Sequence, residues 1–150
     1  MTPSLALAWR PQAGRLVYLR YGSAFRQGGS DIGAHGELVT LKSDELAIIE
    51  AGWRETLGDG GQLELGIYHG WWENMQSDLL LSNGLIETEN VGDARITGAE
   101  VSLDQPLAPG WKLRAGASYT MAKLVHNTLG FELGDRHLHV VPEYVLRGAL

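Results

Sequence analysis

Apolar and polar residues alternate with a period of two along this chain, in segments of about nine to eleven residues. Successive side chains of an extended chain point to opposite sides, so the pattern describes strands with one apolar and one polar face. Val17, Leu19 and Tyr21 share a face against Tyr18, Arg20 and Gly22, and Ile49, Ala51 and Trp53 oppose Glu50, Gly52, Arg54 and Thr56. Leu63, Leu65 and Ile67 then oppose Glu64, Gly66, Tyr68 and Gly70, while Ala99, Val101 and Leu103 oppose Gly98, Glu100, Ser102 and Asp104. Further along, Leu113, Ala115, Ala117 and Tyr119 oppose Arg114, Gly116, Ser118 and Thr120. A first strand from about Ser4 to Arg10, apolar on both faces, and a last from about Glu143 onward bring the predicted total to about seven.

The connections alternate as well. Residues 11–14, 58–61 and 106–110 carry Gly or Pro and predict short turns, whereas 25–44, 73–92 and 124–137 predict long polar connections. Short turns on one side and long loops on the other, repeated with long strands, are the layout of an outer-membrane barrel. Strands of soluble proteins average only about five or six residues. The expected fold class is therefore all-β: an antiparallel up-and-down transmembrane β-barrel, present as a partial sheet of about seven strands. No run approaches the roughly 18 apolar residues of a spanning helix. Twenty glycines in 150 residues, about twice the usual share, fit many turns and many places where a side chain must be absent.

The apolar face carries Leu, Ile, Val, Ala and aromatic residues; the other carries most strand charges and glycines. Trp9 and Trp111 lie beside short turns, and Tyr21, Trp71 and Tyr119 lie toward the long-loop ends, as expected of rings at two lipid–water interfaces. Glu55 and His69 fall on the lipid face and are tolerable near an interface, where charges cost little. Alternation alone fits a soluble sandwich or lipocalin-like barrel equally well, with the apolar face inward. The expected turn at Gly58-Asp59-Gly60 pairs Leu57 with Gly61, and so sets Arg54 opposite Glu64, Gly52 opposite Gly66 and Glu50 opposite Tyr68.

Catalytic and metal chemistry find no motif. The formal charge of −6 lacks the basic stripe of a nucleic-acid binder, so no nucleic-acid partner is expected. Cysteine is absent, which excludes disulfides and thiolate metal sites. His137-Leu138-His139 places two imidazoles on one face without a third ligand. Asp31, Asp44 and Asp78 lack calcium-loop spacing and are expected to be solvated. Serine and histidine never occur in a nucleophile-elbow setting, and Trp71-Trp72 reads as an interface anchor before a stacking platform. No catalytic residue, metal or cofactor is expected, no ligand-binding residue is assigned, and the chain is not expected to be an enzyme.

Several segments carry a family resemblance. Glu89 to Glu100, with Asn90-x-Gly92 and Gly98-x-Glu100, resembles the Asn-x-Gly-x-x-x-x-x-Gly-x-Glu segment of TonB-dependent receptor barrels. Tyr18 to Arg26 resembles the family's strand ending in Phe-Arg, and Leu41 to Gly52 its Leu, acid and Glu-x-Gly segment. Gly116 to Thr120 resembles its Ser-Tyr strand, and Val141-Pro142-Glu143-Tyr144 its late Pro-x-Tyr strand. The resemblance runs from about residue 4 to 150. It implies residence in outer-membrane lipid of a Gram-negative cell and active import of a ferric siderophore or another large solute. It also implies coupling to the TonB complex through an N-terminal region, and makes this chain an internal piece of the barrel without plug or terminal strand. The start, Met1-Thr-Pro-Ser, shows no signal peptide. A passive porin or adhesin-type barrel and, further off, a soluble all-β binding module are the alternatives.

Overall fold

The structure, a computed structural model, describes residues 2–33, 36–130, 136–138 and 142–150. All of its regular elements are strands: β1 (Ser4–Gln12), β2 (Arg15–Arg26), β3 (Gly29–Ile32), β4 (Leu38–Leu41), β5 (Asp44–Thr56), β6 (Gln62–Leu80), β7 (Ile86–Ala108), β8 (Trp111–Asn127) and β9 (Tyr144–Ala149). Seven form one sheet in the order β1-β2-β5-β6-β7-β8-β9, and β3 with β4 makes a separate hairpin. Every pairing is antiparallel. The main sheet does not close on itself, since β1 and β9 remain its two edges.

Register follows from the turns. Leu57 N–H donates to the Gly61 carbonyl at 2.8 Å and Gly60 N–H to the Leu57 carbonyl at 2.9 Å, which closes the expected three-residue loop. Arg54 therefore faces Glu64, Gly52 faces Gly66 and Glu50 faces Tyr68, all as the sequence predicts. Across the sheet the apolar positions line up in rows: Leu7, Leu19, Ala51, Ile67, Ala99, Tyr119 and Tyr144 form one, and Trp9, Val17, Trp53, Leu65, Val101, Ala117 and Leu146 the next. Arg20, Glu50, Tyr68 and Thr120 occupy the opposite face. The sheet curls so that this polar face lines a trough of about 880 Å³, leaving Leu7, Leu19, Leu65, Ile67 and Leu146 exposed on the convex side. A soluble barrel would curl the other way and bury them.

Both acidic and basic exceptions on the apolar face sit where the sequence put them, and each has a partner. Glu55 pairs with Arg15 across the β2–β5 ladder, and the Arg15 guanidinium lies over the Trp53 ring at 5.1 Å. His69 Nδ1 shares a 2.7 Å bond with Thr97 Oγ1, and its ring meets Trp71 edge-on at 4.6 Å.

The long connections need correction. Residues 25–44 contain the β3–β4 hairpin, and most of 73–92 is strand, because β6 runs to Leu80 and β7 begins at Ile86. Their turn repeats the short-turn geometry: Leu81 N–H donates to Leu85 at 2.9 Å, Gly84 N–H to Leu81 at 2.9 Å, and Gly84 has φ 82° beside 85° for Gly60. Only glycine takes that conformation without strain, so Asn83-Gly84 is a hairpin signal inside an apparent loop. β8 likewise continues to Asn127. These stretches are polar and yet extended because a strand beyond the membrane needs no apolar face. At the other end the turns are tighter than expected, with Gln12 paired to Arg15 and Ala108 to Trp111. Pro106 is accommodated next to a register shift, where a ladder bond is already broken.

On the polar face, two tyrosine rings lie flat over the glycine directly across from them. A Cβ at Gly98 would come within 2.3 Å of the Tyr68 ring and 2.7 Å of the Tyr119 carbonyl, whereas one at Gly66 would meet nothing within 4 Å. Gly98→Ala is therefore expected to destabilise the folded barrel by about 1–3 kcal/mol through overpacking. Gly66→Ala should stay within about 0.5 kcal/mol of the parent. Urea unfolding in detergent micelles, followed by tryptophan fluorescence, measures both; equal effects would contradict the packing described.

Candidate functional site

The polar wall of the trough is built from cross-strand pairs. Tyr18 Oη donates to Glu50 Oε1 at 2.6 Å, and Arg20 donates to Glu50 Oε2 at 2.5 Å. Glu50 is thereby held from two sides, and Arg54 lies over the Tyr18 ring at 5.6 Å. Arg54 Nε approaches Glu64 Oε1 at 3.4 Å; both side chains are half-exposed, so the pair is worth about 0.2–1 kcal/mol and serves mainly to hold register. Tyr68 and Thr120 share a 2.7 Å hydroxyl bond across β7. Asp104 takes Lys112 at 2.6 Å and Arg114 at 3.3 Å. Glu100, Ser102, Ser118 and Arg147 add further polar groups to the same wall.

Beyond the apolar band, toward the long hairpins, the inward face turns apolar and forms a small core. Met75, Val91, Ala94 and Leu124 are buried there, packed by Trp72, Leu79, Leu129 and Leu138. A polar clamp sits beside it. Asp44, only 4 % exposed, begins β5 and faces Arg26, the last residue of β2. Arg26 donates to Asp44 Oδ2 through Nε at 3.2 Å and a terminal nitrogen at 2.7 Å, and its backbone N–H reaches Asp44 Oδ1 at 3.1 Å. Gln76 N–H adds a bond to Asp44 Oδ2 at 3.2 Å, while the Gln76 carbonyl accepts from Arg26 at 2.6 Å. Burial pushes the Asp44 carboxyl up, but the Arg26 ion pair and these hydrogen bonds outweigh it and hold the group below its ordinary value.

Asn90 extends the clamp. Its Oδ1 accepts the Lys42 N–H at 2.8 Å, and its Nδ2 donates to the carbonyls of Lys42 at 3.1 Å and Asn74 at 2.6 Å. Gln76 Nε2 also reaches the Lys42 carbonyl at 2.8 Å, and Thr128 Oγ1 donates to the Asn90 carbonyl at 2.5 Å. The segment before β5, the β6 bulge and the segment after β8 are thus tied together. Two residues on, a Cβ at Gly92 would come within 1.9 Å of the His126 carbonyl, which explains the glycine of the Asn-x-Gly motif.

Asp44 corrects the expectation of a solvated loop acid. Asp31 lies in β3, and Asp78 in β6 accepts the Thr88 hydroxyl at 2.7 Å. The constant register of the β2–β5 pair, which also opposes Arg20 to Glu50, was the signal that could have matched Arg26 to Asp44. Among the described residues no three His, Asp or Glu gather to hold a metal. His137 bridges Lys123 and stands 4.0 Å from Glu143, and His139 lies outside the described residues.

Asp44→Asn is expected to cost about 1–3 kcal/mol, because a neutral amide at this buried position loses the ion pair to Arg26 and accepts fewer of the bonds that Arg26 and the Gln76 N–H give the carboxylate. The pH sign follows from the lowered Asp44 value. Its contribution is complete above the ordinary carboxylate range and is lost as pH falls through the folded-state value below it. Urea midpoints of parent and variant should therefore converge on acidification below about pH 4; a gap that persists there would contradict the ion-pair assignment.

The comparisons agree with this geometry. A search of curated proteins found no match. The family model described as TonB dependent receptor-like, beta-barrel, matches residues 1–149. With the match spanning almost the whole chain, and a sheet of long antiparallel strands apolar outside and polar inside, the chain belongs to the TonB-dependent receptor β-barrel family.

Proposed function

We propose that this chain forms part of the barrel wall of an outer-membrane TonB-dependent active-transport receptor, which imports a ferric siderophore or a similarly scarce, large solute. The curl of the sheet carries the reading: the apolar rows are convex and the charged, glycine-rich rows concave. That arrangement is stable with hydrocarbon outside and a wet or plugged lumen inside. Transporters of this architecture close about 22 strands around a plug. Seven strands with two open edges supply a sector of such a wall. The remaining strands, the plug and the segment that meets the TonB complex belong to the rest of the receptor in this reading.

The wall performs no bond-making step here and the chain is read as no enzyme. Most of its charges are paired within the sheet, as in Arg20–Glu50 and Asp104 with Lys112 and Arg114, which suits a surface that holds other protein groups. The clamp at Asp44 and Asn90 sets the bases of the long hairpins, from which a receptor of this kind meets its solute.

Uptake of radiolabelled ferric siderophores by cells carrying the complete receptor tests the reading. Saturable uptake that stops when a protonophore de-energises the inner membrane is expected. Uptake that persists in de-energised cells would make the barrel a passive channel. The purified 150-residue chain alone is expected to show no saturable siderophore binding, which equilibrium dialysis checks.

A further inference from the structure

Arg95 on β7 and Lys123 on β8 stand directly opposite each other, and Arg95 also faces Trp71 on β6. The ladder is regular from Ala94 through Pro106, so both cations share the outward face with Ala99, Thr97, Tyr119 and Met121. Like charges directly opposed across strands repel. Among the described residues neither is ion-paired; the Arg95 guanidinium donates only to the carbonyl of Ala94, at 3.1 Å. The nearest acids in register do not compensate. Asp93 accepts the Asn74 N–H at 2.9 Å, Glu73 stands opposite Glu45, itself an acid, and Glu143 lies 4.0 Å from His137, which faces Lys123 from its other side.

Height along the strands decides what meets these cations. A tilted strand crosses hydrocarbon in about 9–11 residues. Lys123 is the thirteenth residue of β8 and Trp71 the tenth of β6, both counted from the short-turn end. The pair therefore stands at headgroup level, beside an interfacial tryptophan and above the apolar rows.

We propose that Arg95 and Lys123 together hold the phosphate of an anionic lipid headgroup in the leaflet at the long-hairpin end. The guanidinium offers a planar fork to the two non-ester oxygens of the phosphate and the ammonium a point charge beside one of them, and the bound anion reduces the repulsion between the cations. The acyl chains run down the outward face over Thr97, Met121 and Tyr119. This inference rests on the membrane-barrel reading above.

The test uses the complete receptor reconstituted in phosphatidylcholine vesicles, with phosphatidylglycerol added at a few per cent, and counts co-purifying lipids by native mass spectrometry. The parent is expected to retain phosphatidylglycerol over phosphatidylcholine, and the R95Q/K123Q double variant to lose that preference by about 30-fold, the weight of two surface cations. The conservative R95K/K123R exchange should restore it. Equal retention by parent and double variant would overturn the site. Displacement of the lipid by an equal concentration of inorganic phosphate would overturn the lipid as its source. Failure of the parent to insert into phosphatidylcholine vesicles would overturn the barrel reading itself, whereas insertion without charge-dependent retention overturns only this inference.

Discussion

Hydrocarbon offers no hydrogen-bond partner, so every peptide N–H and C=O that crosses it must be satisfied by another strand. The ladder here obeys that demand in its details. Register shifts occur between Trp9 and Gln12, from Trp72 through Met75 to Gln76, between Asp93 and Ala94, and between Pro106 and Ala108. All lie at the two ends of the sheet. Between them the pairing runs unbroken, and because one slipped residue would exchange the faces, an unbroken ladder also fixes which side chains meet lipid.

The two faces then solve different problems. Outward, the rows through Leu19 and Leu65 supply apolar cover, bounded by Arg15 and Glu55 near the short turns and by Arg95 and Lys123 near the long hairpins. Inward, Tyr18 over Gly52 and Tyr68 over Gly98 lay large rings flat along the wall. Each hydroxyl then reaches a polar partner, Glu50 or Thr120. Above the membrane no lipid constrains the backbone, and order comes instead from the Met75–Leu124 core and from the buried Asp44, which gathers Arg26 and Gln76.

What could be read from residue order follows the same division. Strand faces and the Arg54–Glu64 register were legible because lipid on one side and water on the other write a period-two pattern that a turn of known length converts into pairing. The β3–β4 hairpin and the upper halves of β6 and β7 were not, since both faces there meet water or protein and no pattern distinguishes them from loop. Their hairpin signal was local, in Asn83-Gly84. The clamp was half legible: Phe25-Arg26, Asp44 and Asn90-x-Gly92 stand out as motif residues, but that the acid is buried and shared by Arg26 and Gln76 depends on contacts between positions 18 and 32 residues apart.

The odd-numbered face of β6 up to Trp71 meets lipid, and the even-numbered face a polar lumen. These 150 residues contain no cysteine, so single substitutions here can carry a spin label once any cysteine elsewhere in the receptor is replaced by serine. Leu65→Cys and Ile67→Cys, beside Glu64→Cys and Tyr68→Cys, would be labelled in the complete receptor in bilayers and their relaxation by oxygen and by a water-soluble nickel chelate compared. Strong oxygen relaxation is expected at 65 and 67, and weak oxygen relaxation at 64 and 68, which face the lumen and its plug. Labels at 65 and 67 shielded from both reagents, as in a packed interior, would contradict this assignment.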